Sequence, residues 1–60
     1  MTEEYPAVLR AEHVATILGI SVRRAYEVME YKSFPLIRIG RLKRVGRDAF
    51  FSWFEHGAQD

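Results

Sequence analysis

The sequence LGISVRRAY at residues 18–26 predicts two helices joined by a tight turn. Gly19 follows an apolar helical stripe and predicts a helix end, because glycine readily adopts the left-handed conformation of a C-cap. Ser21 is a favoured N-cap for a second helix. A connector of about three residues predicts that the two helices meet at a steep angle. Arg23 and Arg24 then lie on the exposed side of the second helix.

Apolar spacing gives the extent of each helix. The first is predicted at about 11–18, the second at about 22–31, and the third from about 47–48 to a point before Gly57. Their predicted buried residues are Ala11, Val14, Ala15 and Leu18, then Val22, Ala25, Val28 and Met29, then Ala49, Phe50, Trp53 and Phe54. Phe51 falls off the last stripe, so it is expected to be exposed surface or a protein contact. His13 is expected to face solvent.

Between the second and third helices, two apolar and cationic segments flank Gly40-Arg41. Glycine at the first loop position favours a two-residue hairpin with a type II′ turn. In that register Arg38 faces Lys43, an unfavourable pair unless an anion lies between them, which points weakly to phosphate. We therefore expect an α+β fold, a small winged helix-turn-helix. Its order is helix, helix, strand, strand, helix, with a two-stranded antiparallel wing.

The charge distribution divides the chain into three segments. Residues 1–20 carry a net charge of −2, residues 21–47 carry +6 and residues 48–60 carry −3. Eight of the nine cations lie in the middle segment, where they flank apolar elements. A cationic segment of this kind is usually solvated surface. Here the cations lie on ordered elements, which favours a polyanionic partner.

Composition excludes several classes of protein. Sixty residues make one domain at most, and without cysteine the chain has neither a disulfide nor a cysteine-based zinc site. His13 and His56 have no obvious third metal ligand. We expect no cofactor, no small-molecule substrate and no enzymatic activity, because no nucleophile lies near a base and no phosphate loop is present. The N-terminus is acidic and the chain has no long apolar run, so we expect neither a signal peptide nor a membrane span. We therefore expect a cytoplasmic protein.

The ordered set of motifs resembles the excisionase family, small winged helix-turn-helix proteins related to the DNA-binding domain of MerR-type regulators. The resemblance covers about residues 9–55. It rests on Leu18-Gly19-Ile20-Ser21, Arg23-Arg24-Ala25-Tyr26, Phe34-Pro35-Leu36-Ile37-Arg38-Ile39-Gly40-Arg41, and Phe50, Trp53 and Phe54. Arg10 departs from the family pattern, which usually has a Thr or Ser helix cap there. We therefore expect the first helix to fray or to start later.

The candidate DNA contacts are Ser21, Arg23, Arg24, Tyr26, Arg38, Arg41, Lys43 and Arg44. Arg23 suits a guanine, and Arg41 at the hairpin tip suits a minor groove. For each arginine of the second helix, an ion pair with Glu27 or Glu30 is the alternative. Ser21 is first a cap, and Tyr26 is either a core edge or, as the resemblance implies, a phosphate ligand.

The predicted organisation is a flexible N-terminal arm at 1–8, a DNA-binding domain at 9–56 and a tail at 57–60. The resemblance implies an excisionase that binds double-stranded DNA near attachment sites, bends it and directs a partner integrase toward excision. A small transcription regulator and a protein-interaction module remain alternatives. One short module reads few base pairs, so we expect cooperative self-association on DNA, with Phe51 as a candidate interface residue.

Overall fold

The fold is α+β, with three helices and a three-stranded antiparallel sheet. A computed structural model describes residues 4–58. Its elements are β1 (Val8–Leu9), α1 (Ala11–Leu18), α2 (Val22–Met29), β2 (Leu36–Ile39), β3 (Leu42–Gly46) and α3 (Arg47–Glu55). The strand order is β1-β3-β2, so the sheet has one strand more than the sequence predicted.

The first two helices begin and end largely as predicted. Gly19 adopts the left-handed conformation, with φ of 69°, and closes α1. The Ser21 hydroxyl accepts a hydrogen bond of 3.1 Å from the Arg24 amide and caps α2. Helix α2 ends at Met29, two residues before the predicted end. Its last turn tightens there, because the amides of Glu30 and Tyr31 bond to carbonyls three residues back.

The start of α1 shows that the later start expected from Arg10 is wrong. The helix begins at Ala11, and the Arg10 backbone amide donates to Nδ1 of His13 at 3.0 Å. The His13 ring also meets the Tyr5 ring edge-on, at 6.4 Å between centroids. His13 is therefore half-buried and part of the helix cap. The expectation that it faces solvent is wrong.

The hairpin has the predicted register. Ile39 pairs with Leu42 and Arg38 with Lys43, across the loop Gly40-Arg41. Gly40 has φ of 61°. Among residues 4–58, Ala58 is the only non-glycine residue with positive φ, so Arg41 keeps a negative φ. Positive φ at the first loop position and negative φ at the second fit the predicted type II′ turn.

The segment predicted as a flexible arm, 1–8, reaches into the sheet in the part that the structure describes. Val8 pairs with Gly46, and Leu9 pairs with Val45. Arg47 anchors the preceding segment through its amide on the Ala7 carbonyl, at 2.8 Å, and its guanidinium on the Tyr5 carbonyl, at 2.9 Å. A two-residue strand shows no alternation, so sequence periodicity gave no sign of it. Residues 1–3 lie outside the described residues.

Part of the predicted tail at 57–60 also belongs to the folded domain. The Ala58 amide donates to the Trp53 carbonyl at 3.2 Å, and Ala58 packs half-buried against the core. Residues 59–60 lie outside the described residues.

Side chains from all three helices and from the inner face of the sheet form the core. Its fully buried large residues are Leu9, Val14, Met29, Val45 and Phe50. The buried Trp53 donates its indole N–H to the Ser33 hydroxyl at 2.8 Å.

The aromatic residues of α3 differ from the prediction in two places. Phe50 and Trp53 are buried as expected, but Phe54 is 46% exposed. Phe51 is half-buried, because the Tyr5 ring lies 6.2 Å from it and the Phe50 ring 5.3 Å from it. The N-terminal segment covers the Phe51 flank of α3 but not Phe54, whose ring stacks on Phe50 at 6.4 Å between centroids and is otherwise open to solvent. Phe51 is therefore corrected from exposed surface to a packing residue.

Within residues 4–58, no helix combines the length and the apolar character that crossing a bilayer requires.

Candidate nucleic-acid interface

The exposed side of α2 carries the predicted helix residues. Ser21, Arg23, Arg24 and Tyr26 are all exposed there. Among the described residues, Arg23 makes neither a hydrogen bond nor an ion pair, so its guanidinium is available to a ligand. Arg24 instead forms an ion pair with Glu27, at 2.8 Å between Nη1 and Oε1. The alternative considered from sequence therefore holds for Arg24, and Arg23 is the freer cation of the two.

The two predicted hairpin cations that face each other share a carboxylate. Arg38 Nη2 lies 3.0 Å from Oε1 of Glu30, and Lys43 Nζ lies 2.7 Å from Oε2 of the same side chain. Their cross-strand repulsion was expected to need an anion. The anion is Glu30 at the end of α2, so this pair gives no separate indication of phosphate.

The same contacts set the ionisation of Glu30. The hydrogen bond from Lys43, together with the charges of Lys43 and Arg38, holds the pKa of the Glu30 carboxyl below its ordinary value of 4.5, against a smaller opposing effect of desolvation. Glu30 is therefore an anion at neutral pH. It neutralises part of the cationic charge of the hairpin.

Lys43 also joins the hairpin to the middle of α2. Its Nζ lies over the Tyr26 ring, 5.9 Å from the centroid. Tyr26 is exposed, so it is not a core edge. Within residues 4–58 its hydroxyl has no hydrogen-bond partner, so it can accept a hydrogen bond from a ligand or donate one to it. Because Lys43 contacts both Tyr26 and Glu30, the exposed side of α2 and the inner face of the hairpin form one continuous surface.

The remaining hairpin cations lie elsewhere. Arg41 is exposed in the loop, and it has no hydrogen-bond or ion-pair partner within the described part of the chain. Arg44 is half-buried and donates to the Lys43 carbonyl at 2.9 Å. Successive strand residues point to opposite faces, so Arg44 lies on the outer face of the sheet, away from Lys43. The structure thus brings Arg38 and Lys43 to α2, places Arg41 at the tip and separates Arg44 from them.

Sequence reasoning missed three features of this surface. Glu30 was considered only as an intrahelical partner. Val22 was assigned to the buried arc of α2 but is 43% exposed beside Arg23. Ile39 and Leu42 were recognised only as strand residues, yet both lie exposed beside Arg41. The cross-strand register could have predicted that Ile39 and Leu42 pair. Their exposure could not be predicted, because it depends on the tertiary structure.

Comparison of the chain with protein-family models, with curated proteins and with solved structures found no match.

Proposed function

We propose that this protein is a sequence-specific, double-stranded DNA-binding protein of the winged helix-turn-helix type. Helix α2 enters the major groove, and the hairpin β2–β3 is the wing. The observation that supports this most is the contact of Lys43 with both Tyr26 and Glu30. It makes the helix and the wing neighbours on one surface, so that both can meet the same duplex.

The chemistry of that surface suits a duplex. Arg23 in the first turn of α2 is free to approach a base edge, where guanine offers two acceptors to one guanidinium. Tyr26 can contact a phosphate beside the groove, and Arg38 and Lys43 can do so where a phosphate displaces the Glu30 carboxylate. Arg41 at the wing tip suits the negative potential of the minor groove.

The biological role that we propose is that of an excisionase, and it rests on the sequence resemblance. The protein would bind attachment-site DNA, bend it and direct a partner integrase toward excision, without catalysis of its own. Cooperative self-association on DNA belongs to the same proposal. A small transcription regulator is the alternative in the same class, and a protein-interaction module is the alternative outside it.

DNA binding is tested with Arg23→Ala on specific and random duplexes. Loss of a base contact weakens specific binding by about 1–3 kcal/mol and changes random binding much less. The control is Arg10→Ala, which removes the same positive charge at a different place. Arg10 directly follows β1, the strand at the edge of the sheet opposite β2. Equal losses of Arg23→Ala on both duplexes would contradict base readout, and the absence of duplex binding by the wild type would overturn the proposal.

The wing is tested with Arg41→Ala. Because this guanidinium has no partner among the described residues, its removal weakens binding to any duplex. The salt dependence becomes shallower by about one unit for each lost phosphate contact. An unchanged slope would contradict the wing as a DNA contact.

The excisionase role needs a separate experiment. Footprinting over candidate attachment sites, followed by recombination assays with a candidate partner integrase, separates it from transcription regulation. An excisionase raises excision and lowers integration, whereas a regulator changes neither reaction.

A further inference from the structure

The tip of the hairpin exposes two aliphatic side chains side by side. Ile39 is 56% exposed and Leu42 is 51% exposed, and they face each other directly across the two strands. Opposite residues in an antiparallel pair have Cβ atoms about 4.5–5.5 Å apart, so the two side chains form one apolar edge. Gly40-Arg41 completes the tip.

The fold does not account for this exposure. Among residues 4–58, four of the seven exposed large hydrophobic residues lie on the outer face of the sheet: Val8, Ile37, Ile39 and Leu42. Neither Ile39 nor Leu42 packs against the core. An exposed apolar edge at a hairpin end adds little stability, and such a grouping marks a contact surface.

The charges around the edge indicate what it contacts. Arg41 lies between Ile39 and Leu42 in the chain, and Arg44 lies on the same outer face. An apolar protein partner would have to bury these guanidinium groups without compensation, at high cost. A DNA minor groove offers both kinds of contact, because phosphates and base acceptors attract the arginine while sugars and base steps accept apolar side chains.

The width of the hairpin determines how it can enter. Paired strands are about 4.8 Å apart between backbones, and the side chains add to that width. An undeformed minor groove is only about 6 Å wide. The tip with its aliphatic pair therefore enters only if the groove opens, and opening by an apolar wedge kinks a duplex toward its major groove.

We propose that Ile39 and Leu42 form an apolar wedge which Arg41 guides into the minor groove, and that this insertion opens the groove and bends the DNA. The proposal rests on the proposed function, since it requires duplex binding through α2 and the wing. It assigns the bend to these two side chains, separately from the cations that supply affinity.

The test compares Ile39→Thr/Leu42→Thr with Ile37→Thr, a matched control on the same strand and face. Threonine keeps strand propensity and removes the aliphatic tip. The bend is measured by energy transfer between dyes at the two ends of a specific duplex. Melting temperatures are compared first and should be unchanged, because all three side chains are about half exposed or more.

Wild type and Ile37→Thr should bend the duplex by an angle within about 20–90°. The double variant should lose most of that angle while its affinity stays within about tenfold, because the phosphate contacts remain. A full bend in the double variant overturns the wedge, and so does binding without a bend in the wild type. A full bend combined with lost cooperativity between sites would assign the edge to a protein contact instead. A wild type that binds no duplex overturns the proposed function itself.

Discussion

Glu30, the C-cap residue of α2, and Lys43 in β3 form an ion pair of 2.7 Å that joins the second helix to the hairpin. Because Arg38 contacts the same carboxylate at 3.0 Å, Glu30 fixes the inner face of the hairpin against the helix. It also pairs with two of the cations that we propose as phosphate contacts. One side chain thus orients the two halves of the proposed interface and would compete with a phosphate for these cations.

Replacement of Glu30 by glutamine should strengthen binding to any duplex. The substitution removes a negative charge from the interface and frees Arg38 and Lys43 for phosphates. Exposed ion pairs are weak, so the expected gain at low salt is about two- to fivefold in affinity. The salt dependence should steepen by about one unit. Fluorescence anisotropy over a range of salt concentrations measures both quantities.

The matched control for that experiment is Glu55→Gln, which makes the same change of charge in α3. If both variants gain equally, the effect comes from net charge alone. If Glu30→Gln binds more weakly than the wild type, the orienting role of Glu30 outweighs its competition with phosphate.

The stability of the hairpin junction should depend on pH through Glu30. Lys43 and Arg38 hold the pKa of this carboxyl below 4.5 in the folded protein. A carboxyl with a lowered pKa stabilises the folded state fully above its unfolded value, and that stabilisation is lost as pH falls through the folded value. The melting temperature of the wild type should therefore exceed that of Glu30→Gln by a constant amount above pH 4.5, and the gap should close below it. A gap that persists at pH 2 would show that it does not arise from ionisation.

Local sequence signals predicted the parts of the fold that depend on neighbouring residues. Gly19 and Ser21 gave the junction of α1 and α2, since each satisfies backbone groups within its own turn. Gly40-Arg41 gave the turn and register of the hairpin, and with it the facing pair Arg38 and Lys43.

The missed features depend on contacts between distant residues. Strand β1 forms because β3 has an unpaired edge. No local sequence pattern at Val8 or Leu9 predicts this pairing. Phe54 was predicted to be buried and Phe51 exposed, but Phe51 is the more buried of the two. The reason is that Tyr5, 46 residues before Phe51, covers one flank of α3. In the candidate site, the sequence did not indicate that Glu30 lies between two of the predicted cations, Arg38 and Lys43.

Strand β1 should contribute strongly to folding through Leu9. This side chain is fully buried, so Leu9→Ala leaves a cavity and should cost about 2–5 kcal/mol. A domain of this length has a total stability of only about 3–9 kcal/mol, so the variant should be substantially unfolded at 37 °C. Val8→Ala is the matched control, because Val8 lies on the same strand but is 50% exposed. Similar denaturant midpoints for the two variants would contradict the packing of β1.

The last prediction concerns cooperative binding, and the structure changes which residue should test it. Phe51 packs against Tyr5 and Phe50, so Phe51→Ser should lower stability by about 1–3 kcal/mol and give an ambiguous result. Phe54 lies exposed one turn further along α3 and can be replaced with less effect on the fold. If copies of this protein associate through α3 on tandem sites, the wild type should bind each site of a two- or three-site duplex more tightly than a single site. Phe54→Ser should remove that advantage while its melting temperature and its affinity for one site stay near those of the wild type. Titrations on duplexes with one, two and three sites measure the effect, and equal affinity per site in the wild type would show that the protein binds as an independent monomer.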